Sequence, residues 1–172
     1  MRNLYLLVLL LIVAGAASET SFAQENTKVS GYAFADYYWF ANHHNNDYKD
    51  QHGFWFRRIY LTVDHKIDDS FSSRLRVEMA QPGVLGPNAE KTKMSLFVKD
   101  AYLKYKFSGH NILVGLSPTP TFNLIENYWG YRSVEKTLAD LHKFGGSRDI
   151  GFAAQGNIDT DGMFKYHVMY GN

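Results

Sequence analysis

The hairpin that decides the fold lies in residues 54–79, which read FWFRRIYLTVDHKIDDSFSSRLRVEM. Apolar and polar side chains alternate on both sides of the turn at 68–70, which predicts two antiparallel strands. One face carries Trp55, Ile59, Leu61, Val63, Leu75, Val77 and Met79, and the other carries Arg58, Tyr60, Thr62, Asp64, Arg74, Arg76 and Glu78. So many charges cannot lie in a dry core, because unpaired buried charges are very costly. The charged face therefore borders water, either inside a channel or on the outside of a soluble sandwich.

The same alternation predicts seven strands along the chain, close to the length of about 9–11 residues that a tilted membrane strand needs. Their expected ranges are 29–41, 53–67, 71–81, 95–107, 111–117, 149–158 and 163–170. The segments between them are alternately long (43–52, 82–94, 118–148) and short (68–70, 108–110, 159–162). Tight turns on one side and long loops on the other are typical of outer-membrane barrels. A soluble sandwich has no physical reason to alternate in this way.

The N-terminal residues 1–23 are expected to be a secretion signal. Arg2 precedes an apolar run at 4–14, and the small-residue cleavage pattern Ser21-Phe22-Ala23 follows it. The run is too short to cross about 30 Å of hydrocarbon as a helix at about 1.5 Å per residue. Residues 24–172 are then expected to be the exported part. They are predicted to form an incomplete all-β, transmembrane antiparallel barrel, of which this part supplies about seven N-terminal strands.

Composition supports export to a membrane rather than nucleic-acid binding. The formal net charge of +1 gives no reason to expect nucleic acid as a partner, and the absence of cysteine means that no disulfide can stabilise the exported part. Aromatic residues make up 16% of the chain. They are expected in two girdles at the membrane surfaces: Tyr37, Trp39 and Trp55 beside the first long loop, and Phe71, Tyr105, Phe107, Phe164 and Tyr166 beside the short turns.

Period-two alternation also assigns the residues that would line a pore. They are Asp36, Arg58, Asp64, Arg74, Arg76, Glu78, Asp100 and Lys104, with Lys106, Asp149 and Lys165 further along. Cations exceed anions slightly. Arg58, Arg74 and Arg76 either only hydrate the channel wall or form a row of positive charge, a basic ladder, whose field steers anions. Strict alternation puts Arg57 and Lys99 on the lipid side, near the outer strand ends, where a cation costs only about 0–1 kcal/mol.

The long segment at about 118–148 is predicted to be a constriction-type loop. Pro118 and Pro120 block regular pairing, and residues 133–144 have helical spacing of apolar residues with Ser133 as the expected cap. Folded inward, the loop would narrow the pore; the alternative is a helix packed over the barrel mouth. The candidate constriction residues are Glu126, Arg132, Glu135, Lys136 and Arg148, with Asp140 as a further counter-charge.

Motifs of catalysis and metal binding give no positive signal. The chain has no nucleophile elbow, no glycine-rich phosphate loop before a helix and no HExxH, so we expect no enzyme and no cofactor. The run at 159–162 is best interpreted as a hairpin turn rather than a calcium loop. His43, His44 and His52 are interpreted as solvated loop residues rather than metal ligands.

Several short runs resemble the phosphate-selective porin (porin O and P) group. They are FRRIYL (56–61), KDAYL (99–103), VGLSPTP (114–120), WGYR (129–132) followed by EKT (135–137), and SRDIG (147–151). The resemblance extends over essentially all of residues 24–172. It implies a barrel of about sixteen or more strands, a homotrimer when full length, and lysines and arginines at the constriction that govern phosphate selectivity.

The sequence therefore predicts an outer-membrane porin that allows passive diffusion of small hydrophilic solutes or anions such as phosphate. Its expected surroundings are outer-membrane lipid. Two alternatives stay open at this point. One is a complete eight-stranded outer-membrane barrel, an enzyme or an adhesin, and the other is a secreted β-sandwich that binds sugar or protein.

Overall fold

The computed structural model describes residues 25–81 and 93–172. The expected signal segment 1–23 and the part of the predicted loop from 82 to 92 lie outside the described residues. Seven strands form within these two described ranges, with ends that differ from the predicted ranges by one or two residues at most. They are β1 (Thr27–Trp39), β2 (His52–Lys66), β3 (Phe71–Ala80), β4 (Ser95–Phe107), β5 (His110–Pro118), β6 (Arg148–Asn157) and β7 (Lys165–Gly171).

The strands make one antiparallel sheet in which each strand pairs with its neighbours in sequence, in the order β1-β2-β3-β4-β5-β6-β7. This confirms the prediction of a seven-stranded, antiparallel, mostly β fold. In the part of the chain that the structure describes, the sheet is not closed into a barrel, since β1 and β7 are its edges and pair on one side only.

Short and long connections lie at opposite ends of the sheet, as predicted. One end, called the turn end, carries the connections 67–70, 108–109 and 158–164, and the other, called the loop end, carries 40–51 and 119–147. At the tightest turn, Ser108 and Gly109 both have positive φ, at 42° and 82°. Two positive φ values in a two-residue connection match the right-handed twist of the flanking strands.

The loop between β5 and β6 contains two helices, α1 (Pro120–Trp129) and α2 (Leu138–Leu141). The predicted helix at 133–144 is therefore wrong in extent, and Thr137 rather than Ser133 is the cap, with its hydroxyl accepting from the amide of Asp140 at 3.3 Å. Pro120 begins α1 because a proline in the first turn loses no helical hydrogen bond. Gly130 ends α1 with φ 68°.

Two β-bulges shift the alternation of faces. One leaves Arg57 of β2 without an opposite residue on β1, and the other leaves Lys99 of β4 without one on β3. Each bulge turns its cation onto the charged face, where Arg57 contacts Asp36 and Lys99 contacts Glu78. The prediction that Arg57 and Lys99 lie on the lipid side is therefore wrong. Trp55, which pairs opposite Asp36, likewise lies on the charged face rather than with Ile59.

The two faces of the sheet differ in chemistry. The polar face carries the row Thr62, Arg76 and Asp100, which are paired side by side across β2, β3 and β4. The apolar face carries Val29, Ala33, Ala35, Phe54, Phe56, Ile59, Leu61, Val63, Leu75, Val77, Met79, Leu96, Val98, Ala101, Leu103, Ile112, Val114, Leu116, Ile150, Phe152, Ala154, Val168 and Tyr170.

The apolar face is open to its surroundings in the part of the chain that is described. Leu61 in β2 is 44% exposed and Val114 in β5 is 53% exposed. A soluble sheet would bury such side chains against a second layer. The loop with α1 and α2 covers the polar face instead, and the side chains buried there include Thr62, Asp100 and Ser117 beside the apolar Leu113 and Ala153.

Candidate functional site

The loop that contains α1 and α2 lies against the polar face. Arg132 follows α1, and its guanidinium donates to the hydroxyl of Tyr60 on β2 at 3.4 Å. The same guanidinium lies 3.2 Å from the carboxylate of Glu126 in α1. The neck of the loop is held as well, since the Thr119 hydroxyl donates to the carbonyl of Gly146 at 2.8 Å. Of the predicted constriction residues, Glu126 and Arg132 thus meet each other over the sheet.

Asp100 is the centre of the buried network beneath this loop. Its side chain is 0% exposed, and its Oδ1 accepts from Nε of Arg148 at 2.5 Å. Its Oδ2 lies 3.4 Å from Nη1 of Arg76, which in turn donates through Nε to the Thr62 hydroxyl at 2.8 Å. Arg148 is the residue at which the loop returns to the sheet, so this carboxylate joins the foot of the loop to β3 and β4.

Ion pairs continue along the polar face on both sides of Asp100. Toward the turn end, Arg74 donates to both carboxylate oxygens of Asp64, at 2.6 and 3.0 Å. Toward the loop end, Lys99 lies 2.8 Å from Glu78. Arg74 therefore has its own carboxylate partner, whereas Arg76 shares Asp100 with Arg148, so the predicted basic ladder is partly neutralised. Arg58 is buried on the same face.

The bulges change the charge of the polar face. They add two cations, Arg57 and Lys99, and no anion to the residues that the sequence assigned there. The register adds a third cation, Lys28, opposite Asp64. Among the described residues, the cations of this face that have no carboxylate in ion-pair distance are Lys28, Arg58, Lys104, Lys106 and Lys165. The surplus of positive charge is therefore larger than strict alternation predicted.

Glu135 and Lys136, the two other predicted constriction residues, do not join the network at Asp100. The Glu135 carboxylate accepts from the backbone amide of Lys136 at 2.7 Å, and its carbonyl accepts from the Trp129 indole at 3.0 Å. Sequence reasoning also missed two buried residues, Ser117 near the end of β5 and Thr137 at the start of α2. Both are small hydroxyl residues without a recognisable motif, so no sequence signal identified them.

Aromatic rings form a continuous band at the turn end. Centroid distances are 4.8 Å from Phe71 to Tyr105, 5.4 Å from Tyr105 to Phe107, 5.6 Å from Phe107 to His110 and 5.8 Å from His110 to Tyr166. The band crosses strands β3 to β7.

At the loop end, Tyr37 contacts Phe54 at 5.3 Å on the apolar face. Trp39 is exposed on the same face, but Trp55 lies on the polar face with Arg57 over its ring at 5.4 Å. The expected grouping of Trp55 with Tyr37 and Trp39 is therefore wrong, and the bulge at Arg57 is the reason.

Comparison with protein-family models, curated proteins and solved structures finds no match to this chain. None of the helices within 25–81 and 93–172 is long and apolar enough to cross a bilayer.

Proposed function

We propose that this sheet is part of the wall of a bacterial outer-membrane porin that passes small hydrophilic solutes and prefers anions. The proposal is based on one observation: one face of the sheet is continuously apolar, and the other is charged and covered by the loop between β5 and β6. Lipid would contact the apolar face, and water in the pore would contact the polar face.

Lipid accounts for the exposed apolar side chains better than water does. Removing a Val, Leu or Phe side chain from water contributes about 1.5–3 kcal/mol. The apolar face extends this surface over all seven strands, and the band from Phe71 to Tyr166 fits the depth at which aromatic rings meet lipid headgroups. In a soluble protein the same surface would favour aggregation.

The edges β1 and β7 need partners in such a wall. A strand edge in hydrocarbon leaves backbone amides and carbonyls unsatisfied, at several kcal/mol for each group. We therefore propose further strands that close the barrel, to about sixteen or more as in porins with aqueous channels. A homotrimer is the assembly that the sequence resemblance implies.

The loop sets the width of the pore in this proposal. Arg132 attaches the loop to Tyr60, and Arg148 attaches its foot to Asp100, so the loop stays inside the lumen rather than over the mouth. The cations without carboxylate partners make the local potential positive, which raises the concentration of anions in the pore. Phosphate is one anion whose concentration in the pore would rise.

Single-channel recording of the full-length protein in planar bilayers tests the proposal. The protein is expected to produce discrete conductance steps, and Arg132→Ala is expected to raise their size or noise because the loop loses its contacts with Tyr60 and Glu126. Glu135→Ala is the matched control, since the carboxylate of Glu135 is bound only to the next backbone amide. Absence of conductance steps from correctly folded protein would refute the proposal.

A further inference from the structure

A recess on the polar face lies away from Asp100, between α1 and the turn-end halves of β5, β6 and β7. Its volume is about 610 Å³. Leu124 and Tyr128 of α1 form one side, and Asn111 and Gln155 form part of the other. We call this recess the α1 cleft. Asn111 and Gln155 are directly paired in the sheet, and Gln155 is paired with His167, so three uncharged polar side chains make one row across its floor.

The polar groups of the α1 cleft have unused hydrogen-bonding capacity. Among the described residues, Asn111, Asn127 and Gln155 make no side-chain hydrogen bond. A ligand in the cleft that supplies hydrogen-bond partners can exchange the bonds of these amides to water for bonds of its own.

The α1 side of the cleft is an exposed apolar platform. Tyr128 is 84% exposed and Leu124 is 59% exposed, although both are large. They are four residues apart in a helix and therefore share one face. Phe122, by contrast, is buried, and its ring lies next to Gly145.

These groups fit one class of ligand. Amides and imidazole both donate and accept hydrogen bonds, as sugar hydroxyls do. A tyrosine ring offers a flat apolar surface to the C–H face of a pyranose. The described residues that line the cleft include a single ammonium, that of Lys165, and no carboxylate, whereas strong phosphate sites use several charged donors. We propose that the α1 cleft binds a neutral saccharide, with Tyr128 as the stacking residue.

This inference rests on the proposed function in one respect: a saccharide reaches the polar face from the pore. In such a channel, neutral saccharides are a class of solute that the α1 cleft retains during passage. The positive charge elsewhere on the polar face governs small ions and does not compete for the same groups.

Isothermal titration of the full-length protein in detergent tests the α1 cleft, with maltotriose, cellotriose and inorganic phosphate as separate probes. At least one trisaccharide is expected to bind. Tyr128→Ala is expected to weaken that binding about tenfold, because the ring contact is lost, while Tyr128→Phe retains it. Tyr131→Ala is the control, since Tyr131 is a similarly exposed ring on the same loop, at 66%, and does not line the cleft.

The outcomes separate this inference from the porin proposal, because the titration does not require conduction. Conductance steps without trisaccharide binding would overturn the cleft and leave the porin. Trisaccharide binding that depends on Tyr128, in a protein that forms no channel, would support the cleft and refute the porin. Binding of phosphate alone, or equal affinity in Tyr128→Ala, would overturn the cleft.

Discussion

Asp100 is the residue on which the covered part of the polar face depends. It is fully buried between Arg76 and Arg148. We expect Asp100→Ala to lower the free energy of unfolding by about 3–5 kcal/mol, because two partly buried guanidinium groups lose their counter-charge. Urea unfolding of the protein in detergent, followed by tryptophan fluorescence, measures this change.

Asp69 provides the matched control at an exposed position. It lies in the turn between β2 and β3 and pairs with Lys66 at 2.6 Å, with both side chains exposed. The hydrogen bond from Lys66 lowers the pKa of Asp69, so the pair is present at neutral pH and is lost as the pH falls through that lowered value. Asp69→Asn is expected to leave the unfolding curve unchanged. Equal losses in the Asp69 and Asp100 variants would contradict the central position given to Asp100.

The two bulges change the structure of single strands: in β2 and β4 they exchange the faces on which the residues near the loop end lie. We expect cysteine at position 57 or 99 to react with a charged, membrane-impermeant thiol reagent in reconstituted protein. Cysteine in place of Phe56 or Val98 is expected to stay unreactive, because these residues face the apolar side. The natural chain has no cysteine, so each variant reports on a single position.

The opposite labelling pattern would show that side chains in β2 and β4 alternate strictly between the two faces. If Arg57→Cys and Lys99→Cys resist the reagent while Phe56→Cys and Val98→Cys react, the bulges are absent and both cations face the apolar side. The ion pairs with Asp36 and Glu78 would then be wrong as well.

Sequence patterns located regular elements well and irregular ones poorly. All seven strands were predictable because alternation is a property of individual residues, and Asp64 and Arg74 were placed on one face for the same reason. The faces of Arg57 and Lys99 were not predictable, because a bulge depends on how two strands pair and has no residue-type signal of its own. The helix α1 was missed because Pro120 was interpreted only as a breaker, although Pro120 and Gly130 together mark a helix start and stop.

At the scale of the whole molecule, the surplus of cations on the polar face predicts selectivity. Under a gradient of KCl, the zero-current potential is expected to have the sign set by chloride rather than potassium. Replacing Lys104 and Lys106 together with Glu is expected to move it toward potassium. Lys66→Gln at the end of β2 is the control, because Asp69 already neutralises Lys66. The preference is expected to weaken in concentrated salt, where the screening length falls to about 3 Å at 1 M. A zero-current potential set by potassium in the natural protein would contradict this charge assignment.

We propose that lipid surrounds one face of the sheet and water the other. Spin labels on the full-length protein in lipid vesicles distinguish the two faces by their collisions with oxygen, which enters lipid, and with a water-soluble nickel complex. Labels at Leu103, Val114 and Phe152 are predicted to meet oxygen, and labels at Lys104, Asn111 and Gln155 to meet the nickel complex. Equal contact with the nickel complex on both faces, or a protein that stays monomeric in buffer without lipid or detergent, would contradict the account.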